Sequence, residues 1–528
     1  VSGPAGRSRP TPRTAFWLAF AIFAVLGGLT ALASPLASGP DEASHVAKAA
    51  GVARGDLIGS ERTPGVHSLA LPRLYEVHYT LNDCFGLEPD VPASCAPDVS
   101  GDLTSVVDSR TTAGRYNPVY YMAIAAPTLL TADVNVLYLT RLASALLCAA
   151  LLALAVRTLA EIRDPAWVVA GTALAITPMV VYLSGVVNPA SVEAAAGVAL
   201  WVVLTATLLD PDRALLRRRM LRAGVMVFAL VNAKALSPLL LALIVLVVVL
   251  FAGWARTRRT LLDRRTWPGL ILGVLGALVA VLWIAVAGTV ADTGEEPWTS
   301  LTTAAAADLV VRRTATYLMN IVGVFGTADA VMPLWAYFVF AALAGVVVLL
   351  ALALGSRRER LTLVLVAGSV LVLPAALQLP QVATLGLPWQ GRYLLPLAAG
   401  LPILAGFALR GHAPLPREAT SRVVRSVVVG MAFLHLVGFG TNLRRHVAGE
   451  SAGYFEPVPD AWQPPVPSLV LLVAAVITLA ALVVLLLAVV GDPRRESGTR
   501  SAAAAAPPPP TDPVLPSGGT RPGGVEGP

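Results

Sequence analysis

Twelve apolar runs, at roughly 14–36, 134–156, 166–185, 190–209, 220–233, 237–253, 268–290, 333–354, 361–377, 393–409, 423–441 and 467–490, leave this chain few choices of solvent. A helix of about 20 apolar residues matches the ~30 Å hydrocarbon core of a bilayer, where backbone groups have no water to bond. Runs of this kind fold as helices that satisfy their own backbone. Hydrophobic residues make up 56% of the chain and charged ones only 13%, too few to clothe a water-soluble protein of this length. The expected fold class is an all-α polytopic membrane protein, a bundle of about twelve transmembrane helices.

The net charge of +7 does not indicate a nucleic-acid partner, because of where the arginines lie. With the N-terminus inside, 26 of the 39 basic residues fall in segments facing the cytoplasm, in clusters such as "RALLRRRMLR", "RTRRTLLDRR" and "SRRER". That matches the positive-inside rule. A thirteenth crossing at "YNPVYYMAIAAPTLL" (116–130) would reverse the later clusters, so this stretch reads as a helix lying on the outer membrane surface. The reading predicts a multi-pass plasma-membrane protein with both termini cytoplasmic. "ALASPLASG" has the small residues of a signal-peptidase site, but the apolar core before it exceeds the usual 7–15 residues. We read the first run as a retained span.

Three regions follow: a cytoplasmic N-terminus (1–13), a transmembrane domain (14–490), and a Pro/Ala/Gly-rich tail (491–528) unable to bury a core. Two large outer loops, 38–133 and 291–332, interrupt the domain. The first carries Cys84 and Cys95, which on the oxidising side of a membrane could close a disulfide. Cys148 lies within a span and reads as packing.

Chemistry concentrates in "SGPDEASHVAKA", directly after the first span. Ser38 or Gly39 suits an N-cap and Pro40 the first helical position, which places Asp41 and Glu42 in the first turn, where the helix dipole favours carboxylates. Asp41 and His45, four residues apart, share a face. An ionised carboxylate there is a candidate general base for a hydroxyl. The same pair would permit a divalent metal, but without a clear third ligand none is expected as an obligatory cofactor. Lys234 in "VNAKALSP" and Arg392 in "LPWQGRYLLP" would hold cations at the outer boundary, Arg being well shaped for phosphate. Interfacial anchoring by Trp, Tyr, Lys and Arg is the plainer reading of each. Trp389, Gln390 and Tyr393 flank Arg392 as candidate substrate contacts. Tyr116, Asn117, Tyr120 and Tyr121 have the chemistry to meet a sugar or to form an aromatic belt. Asn188 is placed either at the site or as a helix cap. Arg312 and Arg313 are either phosphate ligands or surface charges, and Arg141, inside a span, is expected to snorkel outward.

In order, "PDEASH", "YNPVYY", "SGVVNPAS", "NAKALSP", "VGVFGTADAVMP" and "WQGRYLLP" resemble domain-of-unknown-function family 2142 of bacterial integral membrane proteins, over about residues 14–441. That family in turn looks like a branch of the GT-C glycosyltransferases, which use polyprenyl-phosphate sugar donors and place an acidic residue in the first outer loop. The resemblance implies Asp41 as base, Glu42 as the alternative base, and Lys234 with Arg392 as holders of the donor phosphate. It also implies that the "YNPVYY" tyrosines line the acceptor side. The expected partners are a polyprenyl-phosphate sugar, an envelope glycan, glycolipid or protein acceptor, and the lipid bilayer. Asn117-Pro118 stands where related O-mannosyltransferases often carry two prolines. A transporter or flippase of a lipid-linked envelope precursor is the main alternative, and a non-catalytic envelope scaffold the next.

Overall fold

The computed structural model describes residues 9–130, 132–289, 301–412, 415–453 and 461–491. The expectation for the tail beyond Gly491 and those for residues 1–8 and 290–300 lie outside the described residues.

Helix meets every one of the twelve apolar runs. Nine helices among the described residues are long and apolar enough to cross a membrane, or up to eleven if each of two bent pairs is one span. The run at 220–233 is the exception: helix Leu216–Val231 has only 16 residues and begins on Arg217, Arg218 and Arg219. At 1.5 Å per residue it covers about 24 Å, short of a bilayer core. It stops where Asn232 turns its side-chain amide onto the carbonyls of Phe228 (2.9 Å) and Gly276 (3.0 Å). The run at 166–185 is broken as well, into Ala166–Ala175 and Pro178–Ser184, bent by 61°. Pro178 lacks the N–H that would continue the ladder, and Thr177 before it is extended (φ −73°, ψ 163°).

Burial sorts the helices into a centre and a shell. Pro189–Leu209, rich in alanine, is enclosed almost throughout, whereas Arg264–Ala287 and Leu334–Leu354 turn most of their length outward. Small residues permit close helix approach. A Cβ added at Gly27 on Pro12–Ala33 would meet Ala145 Cβ of Val134–Glu161 at 2.8 Å.

The segment after the first span carries surface helices, as its sequence leads one to expect. It also folds a three-stranded antiparallel sheet, β1 (Ser60–Thr63), β2 (Val66–Pro72) and β3 (Val106–Thr111), in that order. Residues 38–133 also contain helices Glu42–Ala53, Leu74–Thr80 and Pro118–Ile124. Pro118–Ile124 has seven residues, about 10 Å, too short to cross. Its Met122 is exposed while Tyr120, Tyr121 and Ile124 are buried, as befits a helix lying on the bundle. Cys84 and Cys95 form a disulfide. The loop they close is held by Arg445, which donates to the carbonyls of Phe85 (2.6 Å), Glu88 (3.0 Å) and Val91 (2.8 Å) and pairs with Asp329 (2.6 Å). Cys148 is buried and free. In the second large loop, helix Thr303–Val322 precedes a short hairpin, Val324–Phe325 with Ala330–Val331.

Candidate functional site

The helix that carries the acidic cluster starts two residues later than its sequence pattern suggests, at Glu42 and not Pro40. Asp41 sits at the N-cap in the left-handed region (φ 53°) with no side-chain cap, and Glu42 is the first helical residue. Neither Ser38 nor Gly39 is the N-cap; Ser38 bonds its hydroxyl to Pro35 O instead (2.7 Å). The two neighbouring carboxylates consequently leave in different directions.

Glu42 turns into the protein. Both its oxygens meet the Arg141 guanidinium at 2.6 Å, and it also accepts from the backbone N–H of Gly39 (3.2 Å) and Val187 (3.1 Å). Burial alone raises the Glu42 carboxyl, but the guanidinium beside it reverses that and leaves it below its ordinary value. Every oxygen is engaged, so Glu42 is an anchor and is not the alternative base expected of it. Arg141 does not snorkel: its remaining donors end on the carbonyls of Ala31 (2.8 Å), Ser34 (2.7 Å) and Pro35 (2.6 Å).

Asp41 turns outward, with its side chain 61% exposed, and approaches Arg392 at 3.7 Å. Arg392 is itself 3% exposed, and its Nε is buried without a hydrogen-bond partner. The guanidinium lies 5.4 Å from the centre of the Tyr393 ring, and the Lys234 ammonium lies 4.6 Å from the same ring. Chain segments some 350 residues apart thus bring one carboxylate and two cations around a single aromatic side chain. Lys234 occupies the turn between Leu216–Val231 and Ser237–Ala252; burial pulls its ammonium down to about 8, with Glu193 opposing the shift. Glu193 accepts a hydrogen bond from Ser237 at 2.6 Å.

Lys234, Glu193 and Tyr393 line a cavity of about 740 Å³, with Tyr116, Asn117 and Trp389 also in its wall. Asp41 and Arg392 are not wall residues; they adjoin it through Tyr393. The far wall comes from the small sheet and its neighbours: Gly65, His67, Thr112 and Arg115. Trp283 of helix Trp267–Ala287 closes the side, donating its indole N–H to Arg115 O (2.9 Å). Lys48 fastens this region from beneath, donating to the carbonyls of Leu57 and Gly114.

The remaining candidates separate into wall and support. His45 is buried and shares a hydrogen bond with the Tyr121 hydroxyl (2.8 Å), its ring edge-on to Tyr116. Burial, reinforced by Lys234 and Arg392 and opposed by Asp41, lowers the His45 imidazole to about 4, so it is neutral at pH 7. Tyr120 bonds Ser144 (2.9 Å) and is buried like Tyr121. These two tyrosines and His45 support the site and do not form its wall, contrary to the substrate contact expected of them. Asn117 does both, donating to Asn232 (2.9 Å) and capping Pro118–Ile124. Asn188 is the cap of Pro189–Leu209 and donates to Pro40 O (2.8 Å), so it is structural. Gln390 lies outside the wall with its Oε1 buried and unpartnered. Arg312 is paired with Asp308 on an exposed helix face (2.7 Å), and Arg313 is exposed beside it; both are surface charges.

Sequence reasoning did not nominate Glu193, Trp283, His67 or Arg115. An ionisable residue within "PASVEAAAGVAL" was a usable signal, since such groups are costly in a membrane and usually functional. The other three have no local pattern that separates them from anchoring or loop residues. Among the described residues, no group of three His, Cys, Asp or Glu side chains gathers as a metal site.

What the arrangement offers is hydrogen-bond donors in search of an acceptor. Arg392 Nε and the Trp389 indole nitrogen are buried without partners, beside an ammonium already shifted by burial. Buried donors are nearly always satisfied, so this group suits an anionic, oxygen-rich ligand. The exposed Asp41 carboxylate stands next to them as the available proton acceptor.

No curated protein matches the chain. A family model matches residues 23–401, more than two-thirds of the length, and the chain belongs to that family, described as predicted membrane protein (DUF2142).

Proposed function

We propose that this chain is a membrane glycosyltransferase that moves a sugar from a polyprenyl-phosphate donor to a hydroxyl of a cell-envelope glycan, glycolipid or protein. Its site would face the outside of the plasma membrane, with both termini in the cytoplasm. The observation that carries the reading is the approach of Asp41 to Arg392 at 3.7 Å, with Lys234 on the same Tyr393 ring at the cavity wall.

In this mechanism Asp41 takes the proton of the acceptor hydroxyl while its oxygen attacks the anomeric carbon. The bond from that carbon to the phosphate oxygen breaks, and its electron pair leaves with the polyprenyl phosphate. Lys234 and the buried Arg392 guanidinium stabilise the charge that grows there. One displacement inverts the anomeric centre. Neutral His45 holds Tyr121, and with it the helix that positions Tyr116. The alternative of transport finds less support at Glu42 and Arg141, two deeply enclosed charges near the site, which are closed on one another and have no free valence to relay an ion.

The test is release of polyprenyl phosphate by the full-length protein in proteoliposomes, supplied with a panel of polyprenyl-phosphate sugars and envelope acceptors. Asp41→Asn is expected to abolish release while the protein stays monodisperse; undiminished release in that variant removes Asp41 from the mechanism. Flipping of a fluorescent lipid-linked sugar, with no release from any donor, would favour the transport reading.

A further inference from the structure

The end of the bundle opposite the cavity carries a different kind of charge. Three connections, 210–215, 253–266 and 355–356, with the helix starts beside them, present Arg213, Arg217, Arg218, Arg256, Arg258, Arg259, Arg264, Arg265, Arg357, Arg358 and Arg360, all exposed. None of these eleven forms an ion pair with a carboxylate among the described residues. The acids nearby are already engaged: Asp210 holds Arg410 (2.6 Å), Glu161 holds Arg219 (3.2 Å), and Asp263 caps the turn at Arg265 (2.9 Å). The three connections touch. Arg265 reaches Arg213 O at 3.5 Å, and the Arg358 guanidinium packs where a side chain on Gly253 would stand.

At the middle of this patch the chain turns sharply. Helix Ser237–Ala252 ends at Gly253, whose φ of 89° only glycine adopts freely, and helix Trp254–Leu262 leaves at 109° to it. Nearly perpendicular to the strongly apolar helix Ser237–Ala252, it is placed to run along the membrane plane. Its sequence, "WARTRRTLL", suits that position: Trp254, Leu261 and Leu262 are exposed apolar side chains, Thr257 is buried, and Arg256, Arg258 and Arg259 are exposed. Exposed tryptophan and leucine beside unpaired guanidinium groups is the pattern of an interfacial amphipathic helix.

We propose that Trp254–Leu262 and the arginines around it form a binding surface for anionic phospholipid headgroups, one that selects them over zwitterionic lipids. Charge complementarity commits the surface to this occupant: guanidinium groups donate in pairs to phosphate, and the apolar side chains next to them enter the acyl layer of the same leaflet. The surface lies about 24 Å from the cavity along helix Leu216–Val231, which begins among these arginines and ends at Val231 in the cavity wall. The proposal therefore does not rest on the activity proposed for the cavity.

The experiment uses the full-length protein in nanodiscs of equal phosphatidylcholine and phosphatidylglycerol, one of the two carrying brominated acyl chains at a time. Trp254 is read as the difference between the wild type and Trp254→Phe. Brominated phosphatidylglycerol is expected to quench it at least about two-fold more than brominated phosphatidylcholine at low salt, and the preference should shrink in 0.5 M NaCl. Each arginine near an anionic surface strengthens association about five-fold, so Arg256→Gln/Arg258→Gln/Arg259→Gln should remove most of the preference and the Lys triple variant should keep it. As a second readout, the mass-spectrometric ratio of the two lipids retained after detergent purification should favour the anionic lipid in the wild type and approach the supplied ratio in the Gln variant. Equal quenching by the two brominated lipids, or equal retention by wild type and Gln variant, overturns the proposal.

Discussion

Asp41 and Glu42 are neighbours in the chain, each faces an arginine from a distant helix, and the two pairs are built for opposite ends. Glu42 and Arg141 meet at 2.6 Å with side chains 0% and 1% exposed, and backbone N–H and carbonyl groups take up the rest of their valences. Asp41 and Arg392 meet only at 3.7 Å, one oxygen to one nitrogen, with the carboxylate in the open and the guanidinium Nε unpartnered. A closed pair has nothing left to offer a ligand; an open one has a proton acceptor on one side and a donor on the other. Completeness of hydrogen bonding, more than residue type or burial, separates the anchor from the candidate catalyst.

The comparison is most open to attack at the closed pair. Removing one member of a buried ion pair strands the other, and Arg141→Ala or Glu42→Ala is expected to cost about 3–5 kcal/mol, read as a large drop in thermal stability in detergent micelles. A mild shift would show that the pair is not an anchor. At the open pair the ranking reverses. Asp41→Asn should change stability by less than about 0.5 kcal/mol, as exposed sites do, yet lower sugar transfer by roughly 10²–10⁴-fold as loss of a general base does. Loss of folding in Asp41→Asn, with activity intact in what remains folded, would exchange the two roles.

Acid sharpens the same contrast. The imidazoles of His45 and His78 are buried and lowered to about 4, while in the unfolded chain they take up protons near their ordinary value of 6.5. Between those values the unfolded state binds more protons, so stability rises with pH across the window and falls as pH drops from about 6.5 to 4. The loss should be on the order of 3 kcal/mol for each imidazole, and the total smaller in His45→Gln; a flat profile in thermal melts from pH 7 to 4.5 would place these imidazoles in water. The smallest effect belongs to the disulfide. Closing an 11-residue separation would stabilise an otherwise free loop by about 3 kcal/mol. Arg445 already holds three carbonyls of that loop. Cys84→Ser/Cys95→Ser is therefore expected to cost only about 1 kcal/mol, and Arg445→Ala in that background considerably more.

Much of the scaffold was readable in advance because lipid imposes a simple rule. Apolar runs such as 467–490 become helices since nothing else satisfies their backbone, and "YNPVYYMAIAAPTLL" is too interrupted to do so across a bilayer. The reading failed where tertiary partners override length or propensity. Leu216–Val231 stops short because Asn232 bonds across to Gly276. β2 and β3 pair across an intervening helix and a disulfide loop, a non-local register with no local signature.

The sequence by itself determined that this chain lives in lipid, which segments are helical, and that acidic and basic groups gather where spans end, because solvent preference is a property of each segment alone. It also supplied Asp41, Lys234 and Arg392 as the groups to watch. Only the tertiary structure decided that Glu42 is spent on Arg141, that His45, Tyr120, Tyr121 and Asn188 are supports, and that Glu193 and Trp283 belong to the cavity. Whether a polar group is satisfied depends on partners distant in the chain, 99 residues away for Glu42 and Arg141 and 76 for His45 and Tyr121, and no local window of sequence contains them.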